Sequence, residues 1–467
     1  MKALRDRAGL LGPGLARIRE RFAIPPAFPA EVTAAARLAA QRVPDSHVDR
    51  TAVPFVTLDP ASSTDLDQAF AIETAGSDLV LHYAIADVGF FVKDGDPIDR
   101  EAWARGTTTY LPDGKAGLHP PELAEAAASL LPDGPRPALI LTTRIDPAGA
   151  VRLEQVERAL VRSRAKLAYA TVTEADLPAG FAELARRIEG AADRRGASRV
   201  DPPQQEVDRD DAGRYHLGFR PRRLSEDRNA ALSLASNLAV ADALYQARTG
   251  LFRVMPPPDA RAEQRLRQTA AAFSFEWPAA MTLAQLERSL DPANPRDAAL
   301  MLEIRRASNG ASYVPWRSGG RPWHAALAAT YVHATAPLRR LADRYVLEAV
   351  HAVSNGRPVA PEVELAFQRL PDVMAAAGAR DGQVERAVVD LAEVALLSGQ
   401  EGAAFDAVVT DLGPAQSGKG GARIQLCDLP VVARIGPGTP TAPGERLKVR
   451  YEGPDPQRDA PRFTRLR

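Results

Sequence analysis

The chain has one cysteine, Cys427, in 467 residues. A single thiol excludes an internal disulfide framework and any thiolate zinc cluster, and it fits a reducing cytoplasm. No apolar run approaches the roughly 18 residues of a membrane span. The amino terminus, MKALRDRAGLLGPG, carries charges at Lys2, Arg5, Asp6 and Arg7 where a signal peptide needs an apolar core. Charge of one sign is also missing: Lys+Arg and Asp+Glu number 59 each, so no global basic excess advertises a nucleic acid. There is no G-x-x-x-x-G-K-[ST] loop and no G-x-S-x-G elbow, and His333 and His351 lack the paired spacing of a metalloprotease helix. GKGG at 418–421 reads as a turn between strands rather than a phosphate loop.

What is present is an ordinary globular composition, 45% hydrophobic and 25% charged, with 39 prolines that imply many stiff turns. The length allows about two to four domains. Arginine-rich clusters at 184–199, 220–223 and 338–340 are local candidates for anion binding or for solvated faces. Residues 1–50 have apolar residues at three- and four-residue spacing, in GLARIRERFAI and PAEVTAAARLAAQRV, and predict a small helical module, possible as a helix-turn-helix. From Val53 to Arg144 the pattern is of short strands, with TAGSD a hairpin turn that returns Asp87 toward residues 59–67. QQEVDRDDAGRYHLGF at 204–219 predicts a polar hairpin. A buried helix is expected after Ser225, capped by Ser225, favoured by Glu226 and Asp227, and closed by Gly250. Residues 401–467 return to short strands with Gly/Pro-rich turns, the pattern of a five-stranded OB-type barrel.

VTLDPASSTDLDQAF, residues 56–70, sets Asp59, Asp65 and Asp67 in one loop. Close carboxylates repel, so the spacing suits either a hard cation such as Mg²⁺ or a polar turn in which Asp and Ser cap their own backbone. In the stretch 331–344, Pro337 suits a first helical position, which places Leu338 and Arg339 in a first turn where an anion is favoured. The alternative is an Arg339–Asp343 pair on a solvated face. Tyr110 suits either base stacking or a core, and Glu385 lies on an amphipathic helix beside Val384, Val388 and Leu391.

PFVTLDPASSTDLDQAF, with YAIADVGFFVKDGDPIDREAWARGTTTYLPDG, resembles the signature of the ribonuclease II and ribonuclease R (RNB) family of hydrolytic 3′→5′ exoribonucleases. SRAKLAYATV, SEDRNAALSLASNLAVADAL, YVHATAPLRRLADR and QVERAV follow in that family's order. The resemblance implies an α+β fold: an RNB catalytic domain at 51–400, a mixed sheet with helices around an RNA channel, followed by an OB-type RNA-binding barrel at 401–467. It implies Asp59, Asp65 and Asp67 as metal and catalytic carboxylates for one or two Mg²⁺ ions, with Mn²⁺ as a substitute. Arg339 would clamp the scissile phosphate, with Tyr110, Glu385 and Arg340 on the substrate; Tyr169 and Asp87 also match motif positions. The implied partner is single-stranded RNA with a free 3′ end, structured RNA being a further candidate, and the implied products are nucleoside 5′-monophosphates. No membrane or obligate protein partner is expected. The sequence departs at Gln68, where the family has an aspartate and glutamine leaves only a neutral carbonyl for a metal; the alternative function is an RNA-binding protein that has lost hydrolysis. It departs again at residues 1–50, too short for the barrels with which family members commonly begin.

Overall fold

The computed structural model describes residues 2–3, 9–198, 205–210, 213–220, 222–291, 294–307, 310–412, 422–436, 441, 444–455 and 459–466. The GKGG segment lies outside them, as do residue 204 and residues 211–212 of the expected polar hairpin.

A seven-stranded mixed sheet organises the body. Its strands are β1 (Val48–Asp49), β2 (Phe55–Asp59), β3 (Gln68–Ala75), β4 (Asp78–Ala86), β5 (Arg136–Ile145), β6 (Val151–Val161) and β7 (Ser163–Ala168), in the order β7-β2-β3-β4-β5-β6-β1. The TAGSD hairpin forms as expected, with Gln68 opposite Ile85. Both faces of the sheet are covered, and the period-two alternation of the strands sorts large from small residues. Val56, Leu58, Phe70, Leu81, Tyr83 and Ile85 point into one core, where α3 (Leu224–Gln246) and α4 (Leu341–Ser354) pack. Phe55, Ala69, Ala71, Ala84 and Ala86 point to the other, where α2 (Ala30–Ala40) lies close against the alanines through Val32, Ala36 and Ala39.

Residues 1–50 form the two expected helices, but these do not join into a helix-turn-helix. They pack on different parts of the body. α1 (Leu11–Arg21) buries Leu11, Leu15 and Ile18 against Val384, Val388 and Leu391 of the 37-residue α5 (Pro361–Leu397). Gly14 sits at that crossing, where a Cβ would lie 2.5 Å from the Leu391 methyls, so a larger residue there requires the Leu391 side chain to shift. Lys2–Ala3 adds a two-residue strand to the hairpin formed by Gln205–Arg209 and Tyr215–Phe219.

The start of α3 differs from expectation. The helix begins two residues earlier, at Leu224, and Glu226 accepts the Arg223 N–H at 2.7 Å. Ser225 donates instead to the Tyr169 carbonyl at 3.0 Å. At the other end Arg248 takes the left-handed conformation, φ 59°, ahead of Gly250.

The closed five-stranded barrel appears as expected: β8 (Ala404–Leu412), β9 (Ala422–Leu426), β10 (Val432–Ile435), β11 (Arg446–Pro454) and β12 (Pro461–Arg465), in the order β8-β9-β10-β12-β11. Glu393, 1% exposed near the end of α5, ties the barrel to the body. Its Oε1 accepts the Val432 N–H at 2.7 Å and the Gln205 amide at 2.6 Å. Burial pushes its pKa up to about 8 from 4.5. The folded state therefore holds this proton more tightly than the unfolded chain, and the stability it contributes is lost as pH rises through about 8. The melting temperature is expected to fall between about pH 5 and 8, and Glu393→Gln, which keeps both hydrogen bonds without the charge, to flatten that fall in pH-resolved calorimetry.

Candidate active site

The acidic loop runs from the end of β2 to the start of β3. Leu66, between two of its acids, is fully buried, with its N–H held by Ser129 Oγ at 2.9 Å and its carbonyl by the Leu130 N–H at 3.0 Å. With Leu66 turned into the core, Asp65 and Asp67 on either side of it face elsewhere, Asp65 toward a cavity and Asp67 into a buried contact.

Asp67 is 6% exposed and meets the segment before α4. Its Oδ1 accepts the Leu338 N–H at 2.7 Å and its Oδ2 lies 3.4 Å from Arg339 Nε. Burial raises its pKa to about 7, opposed by Arg339 and by the Leu338 N–H. Pro337–Arg339 is not the first turn of a helix. It is a separate turn closed by the Arg339 and Arg340 N–H groups on the Ala336 carbonyl, at 3.2 and 2.9 Å, and α4 starts only at Leu341. Asp343 fixes this turn from below: wholly buried, it accepts the Ala336 N–H at 2.9 Å and the Arg340 guanidinium at 2.7 Å. The Asp343 pair considered for Arg339 therefore belongs to Arg340, which is turned inward, while the Arg339 side chain stays 43% exposed.

Asp59 differs from its neighbours. Its carboxylate has no hydrogen-bond or ion-pair partner among the described residues. Burial raises its pKa to about 6, Arg339 and Lys166 oppose the shift, and Asp65 adds to it. Asp65 is paired with Lys115 at 2.9 Å, and Lys115 also reaches Glu125 at 3.1 Å. Tyr110 is 55% exposed, and burial of its hydroxyl together with the nearby Asp65 charge pushes its pKa up. Asp65, Tyr110, Lys115 and Glu385 line one cavity of about 980 Å³.

An unpartnered, half-buried carboxylate beside a second acid fits a hard cation, so Asp59 and Asp65 are the residues suited to hold one. Asp67 is already engaged through both oxygens, and among the described residues no group of three or more His, Cys, Asp or Glu side chains converges on a metal position. Gln68 is not offered to a metal either. Its amide nitrogen donates to the Thr335 carbonyl at 2.6 Å and its oxygen accepts the Tyr83 hydroxyl. Tyr169 accepts from Asn229 at 2.8 Å and stands near Asp59, which helps burial push its pKa up to about 12. Asp87 lies in a separate buried cluster with His47, 3.1 Å, and Arg158, 3.0 Å, and caps the turn at Phe90.

Lys115, Tyr83 and Thr335 are the site residues that sequence reasoning missed. Lys115 had a readable signal: Pro112-Asp113 is a two-residue hairpin turn, which sets Lys115 opposite Tyr110 on the same face. Tyr83 had one as well: the β3–β4 hairpin sets it two residues along the same face from Ile85, the register partner of Gln68. Thr335 had none, because only the packing of the arginine turn against the sheet brings it to Gln68.

Fold and site together define a mixed-sheet body, with an acidic loop facing an arginine turn, joined to a C-terminal OB-type barrel. The RNB domain model matches residues 47–356, and the RNase II-type exonuclease C-terminal S1 domain model matches residues 403–466. The chain belongs to the RNB family. It is 24% identical over 420 residues to Ribonuclease R 1 of Lactococcus lactis, covering 82% of this chain and 50% of that protein. To Exoribonuclease 2 of Cronobacter sakazakii it is 28% identical over 415 residues, covering 83% and 62%. The chain thus spans about half to six-tenths of these relatives. Among solved structures, Mycoplasma genitalium RNase R in complex with ribose-methylated single-stranded RNA superposes with a TM-score of 0.84 at 20% identity, over 97% of this chain and 77% of that one. Yeast Ssd1, a pseudonuclease, superposes with a TM-score of 0.67 at 16% identity, over 84% and 50%.

The Gln68 bridge is testable without any assay of activity. Gln68→Asp shortens the side chain, removes the donor to Thr335 and sets a carboxylate near a carbonyl oxygen, so urea unfolding is expected to show a loss of roughly 1–3 kcal/mol. Unchanged stability would mean the bridge contributes nothing.

Proposed function

We propose that the chain is a hydrolytic 3′→5′ exoribonuclease that threads single-stranded RNA 3′ end first. The observation that carries this reading is the half-exposed Arg339, held by Asp67 while the unpartnered Asp59 lies within its field. A phosphodiester placed between them meets a guanidinium for its non-bridging oxygens. The exposed ring of Tyr110 offers a stacking surface for a base without regard to sequence, which suits processive degradation. Glu385, on the wall of the same cavity, would accept hydrogen bonds from the ribose hydroxyls of the terminal nucleotide and so favour RNA over DNA.

Water attacks the last phosphorus, the P–O3′ bond breaks, and the products are a nucleoside 5′-monophosphate and RNA one nucleotide shorter with a free 3′-hydroxyl. A divalent cation, Mg²⁺ or Mn²⁺, held by Asp59 and Asp65 would polarise the phosphate and acidify the water. With a cation there, Lys115 would keep Glu125 as its acidic partner in place of Asp65. Arg339 stabilises the charge that builds on the phosphoryl oxygens, and Asp67 keeps it aimed.

Two features favour a second reading, an RNA-binding protein without hydrolysis: the Asp65–Lys115 pair, in which a protein cation neutralises the acid, and the neutral Gln68. A time course on 5′-labelled single-stranded RNA, with Mg²⁺ or with EDTA, separates the two. The exonuclease produces a metal-dependent ladder shortening from the 3′ end to a fixed limit, and Arg339→Ala lowers kcat roughly 10²–10³-fold. Intact RNA that still shifts on a native gel favours the binding protein.

A further inference from the structure

The short strand Thr109–Leu111 carries Tyr110, and two distant parts of the chain fix it in place. The first is the arginine turn. Thr107 forms an antiparallel bridge with Arg340: the Thr108 N–H donates to the Arg339 carbonyl and the Leu341 N–H to the Gly106 carbonyl, each at 3.0 Å. The ring that offers a stacking surface and the guanidinium that meets a phosphate are therefore carried on two stretches of backbone bonded directly to each other.

The second is α5. Asp381, one turn before Glu385 on that helix, receives the Thr107 hydroxyl on Oδ2 at 2.5 Å and the Thr109 hydroxyl on Oδ1 at 2.7 Å. Alternate residues of an extended segment share a face, so both threonines reach one carboxylate while Tyr110 points to the other side. Hydroxyl-to-carboxylate bonds are charge-assisted and roughly twice as strong as neutral ones. Around this latch α5 grips the same segment twice more. Arg380 donates to the Arg105 carbonyl at 2.6 Å, and Gly106, at φ 74°, lies where a Cβ would come within 2.8 Å of the Ala377 methyl.

Asp381 lies outside the stretches that carry the family resemblance. It is half-buried on the wall of the cavity that Tyr110 and Asp65 also line. Each of its oxygens already accepts a threonine hydroxyl, so its route to the reaction runs through the strand rather than through the substrate. We propose that Asp381 is a positioning residue that fixes the separation between the ring of Tyr110 and the guanidinium of Arg339, by locking the Thr107–Thr109 segment that joins them. The proposal rests on the reading above that RNA is the substrate. A base stacked on the ring then delivers its phosphodiester to the clamp, and a loosened segment leaves the RNA bound with that phosphodiester out of place.

The experiment uses the full chain, single-stranded RNA and three variants: Asp381→Ala, Asp381→Asn, and Thr107→Val with Thr109→Val. A misplacement of about 1 Å costs up to about 10²-fold in rate, so Asp381→Ala is expected to lower kcat by roughly 10- to 10²-fold with little change in KM. Asp381→Asn is expected to recover most of the rate, because its oxygen accepts from one threonine and its amide donates to the hydroxyl of the other. The two valines remove the same two bonds from the other side. Their cost in kcat is expected to match that of Asp381→Ala and to grow little when the changes are combined. Stacking is read without turnover, in EDTA, from the quenching of a 2-aminopurine placed as the 3′-terminal base. Asp381→Ala is expected to lose most of the quenching that Tyr110→Ala loses. If Asp381→Ala does not fold, judged by its thermal melt, Thr107→Val alone carries both readouts. A folded Asp381→Ala with the kcat and quenching of the parent, or costs that simply add in the combined variant, overturns the positioning role and leaves the nuclease reading standing. In a parent that binds RNA without hydrolysing it, the nuclease reading fails and the quenching alone decides the latch. A parent that neither binds nor shortens RNA overturns both.

Discussion

The buried carboxylate of Asp67 joins the two halves of the candidate active site. One half comes from the sheet, as the acidic loop between β2 and β3. The other comes from the turn ahead of α4, more than 250 residues later. Asp67 receives a backbone N–H and a guanidinium from that turn, and Asp343 holds the turn from beneath. Burial alone would protonate Asp67, and the arginine and the peptide dipole oppose that. The exposed edge of Arg339 is left over from this arrangement and remains available to an anion.

Charge balance explains the remaining polar groups around the loop. Asp65 has Lys115, whereas Asp59 has only the more distant fields of Arg339 and Lys166. Gln68 sits where a fourth carboxylate would deepen the repulsion, and its neutral amide instead spans from Tyr83 on β4 to Thr335 beside the arginine turn. A carboxylate could accept from Tyr83 but could not donate to Thr335. The residue that departs from the family pattern is therefore a second tie between the same two segments that Asp67 joins.

α5 connects the site to the rest of the molecule. It packs α1 through Leu391 opposite Gly14, carries Glu385 on the wall of the candidate active-site cavity, and ends on Glu393, which holds the hairpin and the barrel together. A single long helix thus sets the spacing between the barrel and the acidic loop.

Local physics made a good part of this legible. Alternating strand patterns, Gly/Pro turns, the apolar α3 and the five barrel strands are each set by neighbours within a few residues, and the family motifs located Asp59, Asp65, Asp67, Tyr110, Arg339 and Glu385. Polar pairing across the chain was not legible. Whether Arg339 or Arg340 takes Asp343 and whether Gln68 faces a metal or a carbonyl depend on elements that meet only when the core closes. The amino-terminal helices make the same point: their periodicity was enough to form them, but the shape of the body, with a glycine-sized gap at Leu391 and an alanine-lined face on the sheet, decided that they would pack apart. Sequence determined the elements and the chemical groups because those are short-range properties. Tertiary structure alone decided which charges neutralise one another, because a buried charge takes whatever partner the packed core leaves within reach.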